Sequence, residues 1–371
     1  MHTLTIPTET VAPADDVARL LTPEGDRVSD PRLDPWAQHL DVDALRALYR
    51  DMALTRRIDG EGVALQRQGH LGLWAPAQGQ EAIQVASARA CRPDDFLFPS
   101  YRELGVLIVR GAQPADLVLG WRGEVHGTFD PHALHVATPQ IIIGAQSLHA
   151  VGYAMGIRRD RSDQVAVAYF GDGATSQGDV NEAMVFAASF GVPVVFVCSN
   201  NGWAISEPVA LQARTPIAGR APGFGIPSLR VDGNDAVACT AAMGWALDRA
   251  RSGQGPAFIE AVTYRMGPHT TSDDPTRYRE ADELEKWRAR DPLRRVEAYL
   301  RRLGAFDEAF VDEVARAGDV YAAAMRDAVL TATTRPPIEV LDDVYAEPHS
   351  GIDRQRERFG AYLAGFADGE V

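Results

Sequence analysis

The chain has 371 residues, 46% hydrophobic and 24% charged, with a formal net charge of −14. That size and balance suit one large or two smaller globular domains, and the acidity argues against nucleic acid or an anionic membrane as partner. There is no apolar run of membrane-spanning length and no secretory start, and Cys91, Cys198 and Cys239 show neither metal-like spacing nor a disulfide framework, so a cytoplasmic protein is expected.

Residues 1–40 read as an extended N-terminal arm, rich in Pro, Thr and Asp over most of its length. A helix is expected from near Asp41, with Leu45, Leu48 and Met52 on one face. The sheet core is expected within 95–265. Two runs, VAVAYF at 165–170 and VPVVFVC at 192–198, are short, apolar and without alternation, as buried parallel strands are. Between them, Gln177 to Phe190 reads as a helix, with Val180, Ala183, Met184, Ala187 and Ala188 on one face and Gly191 and Pro193 to stop it. A polar loop at 266–282 precedes charged helices over 283–330, where Leu293, Val296 and Leu300 keep helical spacing. TATTRPP at 331–337 is a breaker. The expected fold is α/β, a doubly wound and mostly parallel sheet with helices on both faces over residues 41–330, followed by a tail at 331–371.

The first of those strands runs into Gly171-Asp172-Gly173 and the second into Asn200-Asn201, with 26 residues between the two motifs. Asp172 and Asn201 then lie at the carboxyl ends of parallel strands, where open α/β sheets bind ligands. A carboxylate, an amide oxygen and a backbone carbonyl just beyond Asn201 are hard ligands that suit Mg²⁺ or Ca²⁺. The glycines permit close approach of a phosphate, and the following helix offers N–H groups to an anion. The pattern points to a metal–diphosphate site; an ordinary strand-end turn explains Gly-Asp-Gly alone but not the paired amides at that distance. Lys286 is the only lysine and lies in the charged stretch ELEKWRAR. A P-loop or a pyridoxal Schiff base is therefore excluded, and any cationic grip on phosphate falls to arginine.

The stretch from Gly171 to Asn201 resembles the thiamine diphosphate fingerprint. Over about residues 40 to 365 the chain is similar to the alpha subunits of the decarboxylating component of 2-oxo acid dehydrogenase complexes, most nearly the branched-chain type. The likeness runs through RQGHLGLWAPAQGQEA (67–82), FPSYRELG (98–105), IIIGAQ (141–146), YRMGPHTTSDDPTRYR (264–279) and DDVYAEP (342–348). It implies thiamine diphosphate and Mg²⁺ as cofactors. Asp172, Asn201 and the carbonyl of Trp203 would hold the metal, and Gly171, Gly173, Ala174, Tyr101 and Arg102 would contact the diphosphate. The backbone of Ile141 and Ile143 would hold the aminopyrimidine, with the Ile143 side chain beneath the bent cofactor. His269 would touch the cofactor and act in catalysis. Leu73 and Trp74 match positions lining the substrate pocket, though both suit core packing as well.

The chain departs from the family pattern at several points. Ser199 stands where some relatives have a phosphate-binding arginine, Trp203 replaces a tyrosine, and Pro268 replaces a second histidine. Thr270 stands where some relatives carry a regulatory serine, so that regulation is not expected here. The resemblance further implies a beta subunit, needed for the pyrimidine half of the site, in an α2β2 heterotetramer. A small 2-oxo acid is the implied substrate and a lipoyl-bearing acyltransferase the implied acyl acceptor. Pyruvate or acetoin as substrate, a self-sufficient thiamine enzyme and a non-catalytic scaffold are the alternatives.

Overall fold

The computed structural model describes residues 17–123 and 129–366. Its strands are β1 (Phe96–Phe98), β2 (Ala166–Gly171), β3 (Val194–Asn200), a two-residue pair β4 (Trp203–Ala204) and β5 (Glu207–Pro208), then β6 (Ser228–Asp232) and β7 (Ala257–Val262). The main sheet has the order β1-β2-β3-β7-β6, and every neighbouring pair is parallel. Parallel neighbours need crossovers. The helix Gly178–Phe190 supplies one between β2 and β3, and Ala236–Arg251 another between β6 and β7.

The pleat sends alternate side chains to opposite faces. Val167, Tyr169, Val195, Val197 and Ile259 join one buried cluster; Ala168, Phe170, Val194, Phe196, Cys198 and Phe258 join the other. Both faces are covered, which is why these runs carry no alternation in sequence. The doubly wound α/β architecture forms as expected.

The first long helix spans Val42–Arg67, with Leu45, Leu48 and Met52 buried. Asp41 caps it by accepting the N–H of Ala44 at 2.9 Å. At the β2–β3 crossover, Gly191 takes a left-handed conformation and ends the helix Gly178–Phe190.

The described part of the expected N-terminal arm is neither free nor extended throughout, since Asp34–Ala37 forms a short helix. Ala18, Leu20 and Leu21 are fully buried, and Ala18 pairs in parallel with Val231 at the edge of β6. Asp235 accepts the N–H groups of both Leu20 and Leu21, at 2.7 and 2.6 Å. Residues 1–16 of the expected arm lie outside the described residues.

The chain divides into two units, Met1–Leu330 and Thr331–Val371. The second holds a 3-10 turn over Pro337–Asp343 and a helix over Ser350–Leu363. Within it Arg335 pairs with Asp343 at 3.1 Å, and Arg356 pairs with Asp342.

Candidate active site

The β2–β3 ladder ends with Gly171 opposite Ser199, so Asp172 and Asn201 leave neighbouring strands at the same edge of the sheet. They meet directly: the Asn201 N–H donates to Asp172 Oδ1 at 3.3 Å, and Gln212 Nε2 donates to Oδ2 at 3.3 Å. Asp172 is 1% exposed. Burial pushes its carboxyl up to about 6, against the hydrogen bonds it accepts and the pull of Arg265. A carboxylate so short of compensating charge is suited to a cation, which would reverse that shift. Asn201 Oδ1 accepts the Trp203 N–H at 3.2 Å. The Trp203 carbonyl accepts from Arg265 at 3.3 Å, which leaves its second lone pair. A 3-10 turn over Asp172–Ser176 separates β2 from the helix at Gly178, so an anion would meet the N–H groups of this turn before those of the helix. A Cβ on Gly173 would come within 2.7 Å of the Ala204 Cβ, so the turn can close only on glycine.

Asp172, Asn201, Trp203 and Ala204 line a cavity of about 260 Å³. Tyr101, Arg102, Ile143, Gly171, Gly173, Ala174 and His269 line it too, so segments distant in sequence converge there. Ile141 lines a second, more apolar cavity of about 200 Å³, which shares Tyr101 and Arg102 with the first. Ile141 and Ile142 are 72% and 73% exposed, so this isoleucine run is not core strand. Trp74 also faces the second cavity, but packing governs it. Its indole N–H donates to the buried Asp59 at 2.9 Å, and its ring lies so close to Gly62 that a Cβ there would sit 2.2 Å away. Leu73 is half-buried and lines neither cavity.

His269 is half-buried rather than solvated. Its N–H donates to Asp273 at 2.8 Å, and Arg102 grips its carbonyl at 2.9 Å. Guanidinium nitrogens of Arg102 and Arg265 lie 3.2 and 3.4 Å from its Nδ1. Guanidinium only donates, so Nδ1 accepts and the proton sits on Nε2. Burial, then Arg102 and Arg265, bring the imidazole down to about 4, with Asp273 opposing. The ring is therefore neutral near pH 7 and offers one N–H donor. Arg102 also donates to the Pro76 carbonyl at 2.6 Å. Its remaining N–H groups are what it can offer a phosphate.

Several residues of this site lie within the motifs that carry the resemblance but were not singled out there. Arg265 is fully buried beneath the loop, and Gln80, Glu103 and Gln146 line the cavity. Gln80 Nε2, Glu103 Oε2, Gln146 Oε1 and Ser199 Oγ are buried without a hydrogen-bond partner. Buried polar atoms left open around one cavity fit a polar ligand that would satisfy them. Among the described residues no group of three His, Cys, Asp or Glu comes together. An ion at Asp172 would therefore draw most of its shell from oxygen donors, water and phosphate, as Mg²⁺ does. The residues present thus fit both thiamine diphosphate and Mg²⁺.

Residues 49–340 match the family described as dehydrogenase E1 component. The 3-methyl-2-oxobutanoate dehydrogenase subunit alpha of Mycobacterium tuberculosis is 47% identical over 347 residues, covering 93% of this chain and 94% of the relative. The pyruvate dehydrogenase E1 component subunit alpha of Staphylococcus epidermidis is 41% identical over 84% of each chain. That of Acholeplasma laidlawii is 38% identical, over 88% of this chain and 95% of the relative.

Proposed function

The chain belongs to the dehydrogenase E1 component family, and from that premise we propose that it is the alpha subunit of a 2-oxo acid dehydrogenase acting on branched-chain 2-oxo acids. The supporting observation is that Asp172, Asn201 and His269 line one cavity in a chain so similar to a 3-methyl-2-oxobutanoate dehydrogenase alpha subunit. Residues 41–330 form the cofactor-binding domain in this reading, and 331–371 a tail.

Asp172, the Asn201 amide and the Trp203 carbonyl hold Mg²⁺. Gly171, Gly173, Ala174, Tyr101 and Arg102 receive the diphosphate, and Ile141 and Ile143 the aminopyrimidine. When bound, thiamine diphosphate supplies the nucleophilic carbon and the electron sink for decarboxylation. His269 then donates its Nε2 proton in a hydrogen bond to the oxygen that gains charge on the substrate. Arg102 and Arg265 keep the imidazole in that tautomer.

The cavity is small beside those of about 300–1,000 Å³ that usually hold a ligand, which favours a site completed by a beta subunit. We assign an α2β2 heterotetramer passing its acyl group to a lipoyl-bearing acyltransferase. No helix among the described residues is long and apolar enough to cross a membrane, and we place the complex in the cytoplasm.

The test is to co-express the chain with its beta subunit and compare decarboxylation of 3-methyl-2-oxobutanoate with that of pyruvate. The branched substrate is expected to have the higher kcat/KM, and the chain alone to be inactive. The 41% identical pyruvate dehydrogenase relative gives the competing reading its support; a preference for pyruvate would establish it. A second expectation concerns pH. The Asp172 carboxyl sits near 6, and only its ionised form takes a cation. Mg²⁺-dependent cofactor affinity should be level above about pH 6 and fall as pH drops below it. Calorimetric titrations between pH 5 and 8 check this, and a flat profile would remove Asp172 from the metal shell.

A further inference from the structure

Gln80 is 1% exposed and lines the candidate cofactor cavity. Three segments woven together set its position. Asp59, on the helix Val42–Arg67, accepts the N–H groups of Ala77 and Gln78, each at 3.0 Å. The Gly79 carbonyl accepts from the Thr263 hydroxyl at 2.7 Å, and Met266 donates its N–H to the Gln78 carbonyl at 3.0 Å. Thr263 and Arg265 in turn donate their N–H groups to the carbonyls of Asn200 and Asn201, at 2.8 and 3.2 Å. Gly79 has φ +98, and a Cβ there would lie 2.2 Å from the Tyr264 carbonyl oxygen. Only glycine lets the two chains approach this closely.

Within that weave the hydrogen bonds fix the ends of two amides. The Trp203 N–H can only donate, so the oxygen of the Asn201 side chain must face it. Asn201 Nδ2 therefore points the other way and needs an acceptor, which Gln80 Oε1 provides at 3.1 Å. The amino end of Gln80 is left buried with no partner, in a cavity wall beside Asp172 and Asn201. A buried NH₂ group can only donate, so it calls for an acceptor oxygen in the ligand.

We propose that Gln80 is a positioning residue for the cofactor. Its Oε1 keeps the Asn201 amide from flipping, and its Nε2 donates to an anionic oxygen of the bound diphosphate. The proposal rests on the functional reading above. Its test uses the complex with the beta subunit, titrated calorimetrically with thiamine diphosphate at saturating Mg²⁺. Gln80→Glu retains an acceptor for Asn201 and loses the donor; Gln80→Leu loses both. The dissociation constant is expected to rise about tenfold in the glutamate variant, the size of one hydrogen bond to a charged acceptor, and roughly tenfold further in the leucine variant. Thermal melts of the unliganded complexes separate this from a purely structural role, which would lower the melting temperature and leave the affinity of the folded protein unchanged. Wild-type affinity in both variants overturns the role of Gln80 and leaves the cofactor assignment standing. Absence of thiamine diphosphate binding by the wild-type complex overturns both.

Discussion

Asp172→Asn is expected to lower Mg²⁺-dependent thiamine diphosphate affinity at least a hundredfold while making the unliganded protein more stable. The two effects have one cause. Asp172 is buried at the sheet edge, and its carboxyl is raised from 3.8 to about 6 chiefly by burial. A shift of that size corresponds to roughly 3 kcal/mol disfavouring the ionised form in the folded state. Above pH 6 the free protein carries this penalty; as pH falls towards 4 the folded carboxyl takes up its proton and the penalty disappears. An asparagine has the same shape, is never charged, and can still accept the Asn201 N–H. Its melting temperature should therefore exceed that of the wild type at pH 8, with the gap closing below pH 6. The neutral amide cannot replace a carboxylate facing a divalent ion, so cofactor binding is lost. A destabilised variant would contradict the burial penalty on Asp172, and one binding the cofactor like the wild type would contradict the metal assignment.

The legible part of this molecule is the part governed by local pattern. The runs at 165–170 and 192–198 became β2 and β3, shifted towards their C-terminal ends by one or two residues. The first long helix began at Asp41 and the β2–β3 helix stopped at Gly191, as their sequences led one to expect. Convergence of Asp172, Asn201 and Trp203 was readable because one βαβ unit brings its strand ends together whatever surrounds it. Tyr101, Arg102, Ile143 and His269 came from resemblance alone, since no periodicity joins a loop at 269 to a turn at 101.

Other features stayed hidden because they depend on tertiary partners. Residues 1–40 read as an extended arm, yet within it Leu20 and Leu21 are buried where the Asp235 carboxylate takes up their N–H groups. Arg265 and Gln80 are ordinary residues in sequence. Only the folded chain shows one locked beneath His269 and the other against Asn201. Trp74 suited both a pocket wall and the core in sequence, and in the fold it does both: it lines the second cavity while Asp59 and Gly62 hold its ring.

His269→Ala is expected to leave thiamine diphosphate affinity within a few-fold of wild type and to reduce turnover by about 10²- to 10³-fold, the usual loss on removing one donor to a developing oxyanion. Binding should survive because Arg102 is held by backbone, donating to the carbonyls of Pro76 and of residue 269 itself, neither of which the substitution removes. Arg265 likewise keeps the carbonyls of Trp203 and Ile205 and the hydroxyl of Tyr278. The lost group is the Nε2 proton. His269→Gln should recover part of the rate, since a glutamine can accept from the guanidiniums and still donate. The pH profile supplies a separate check. With its imidazole near 4, His269 stays neutral across the working range, so the wild-type turnover profile should show no limb near 6.5 that disappears in the alanine variant. Such a limb would mean that the imidazole is charged in the working enzyme and that Arg102 and Arg265 do not set its proton. Unchanged turnover in the alanine variant would instead reduce His269 to a loop residue that lends Arg102 its carbonyl.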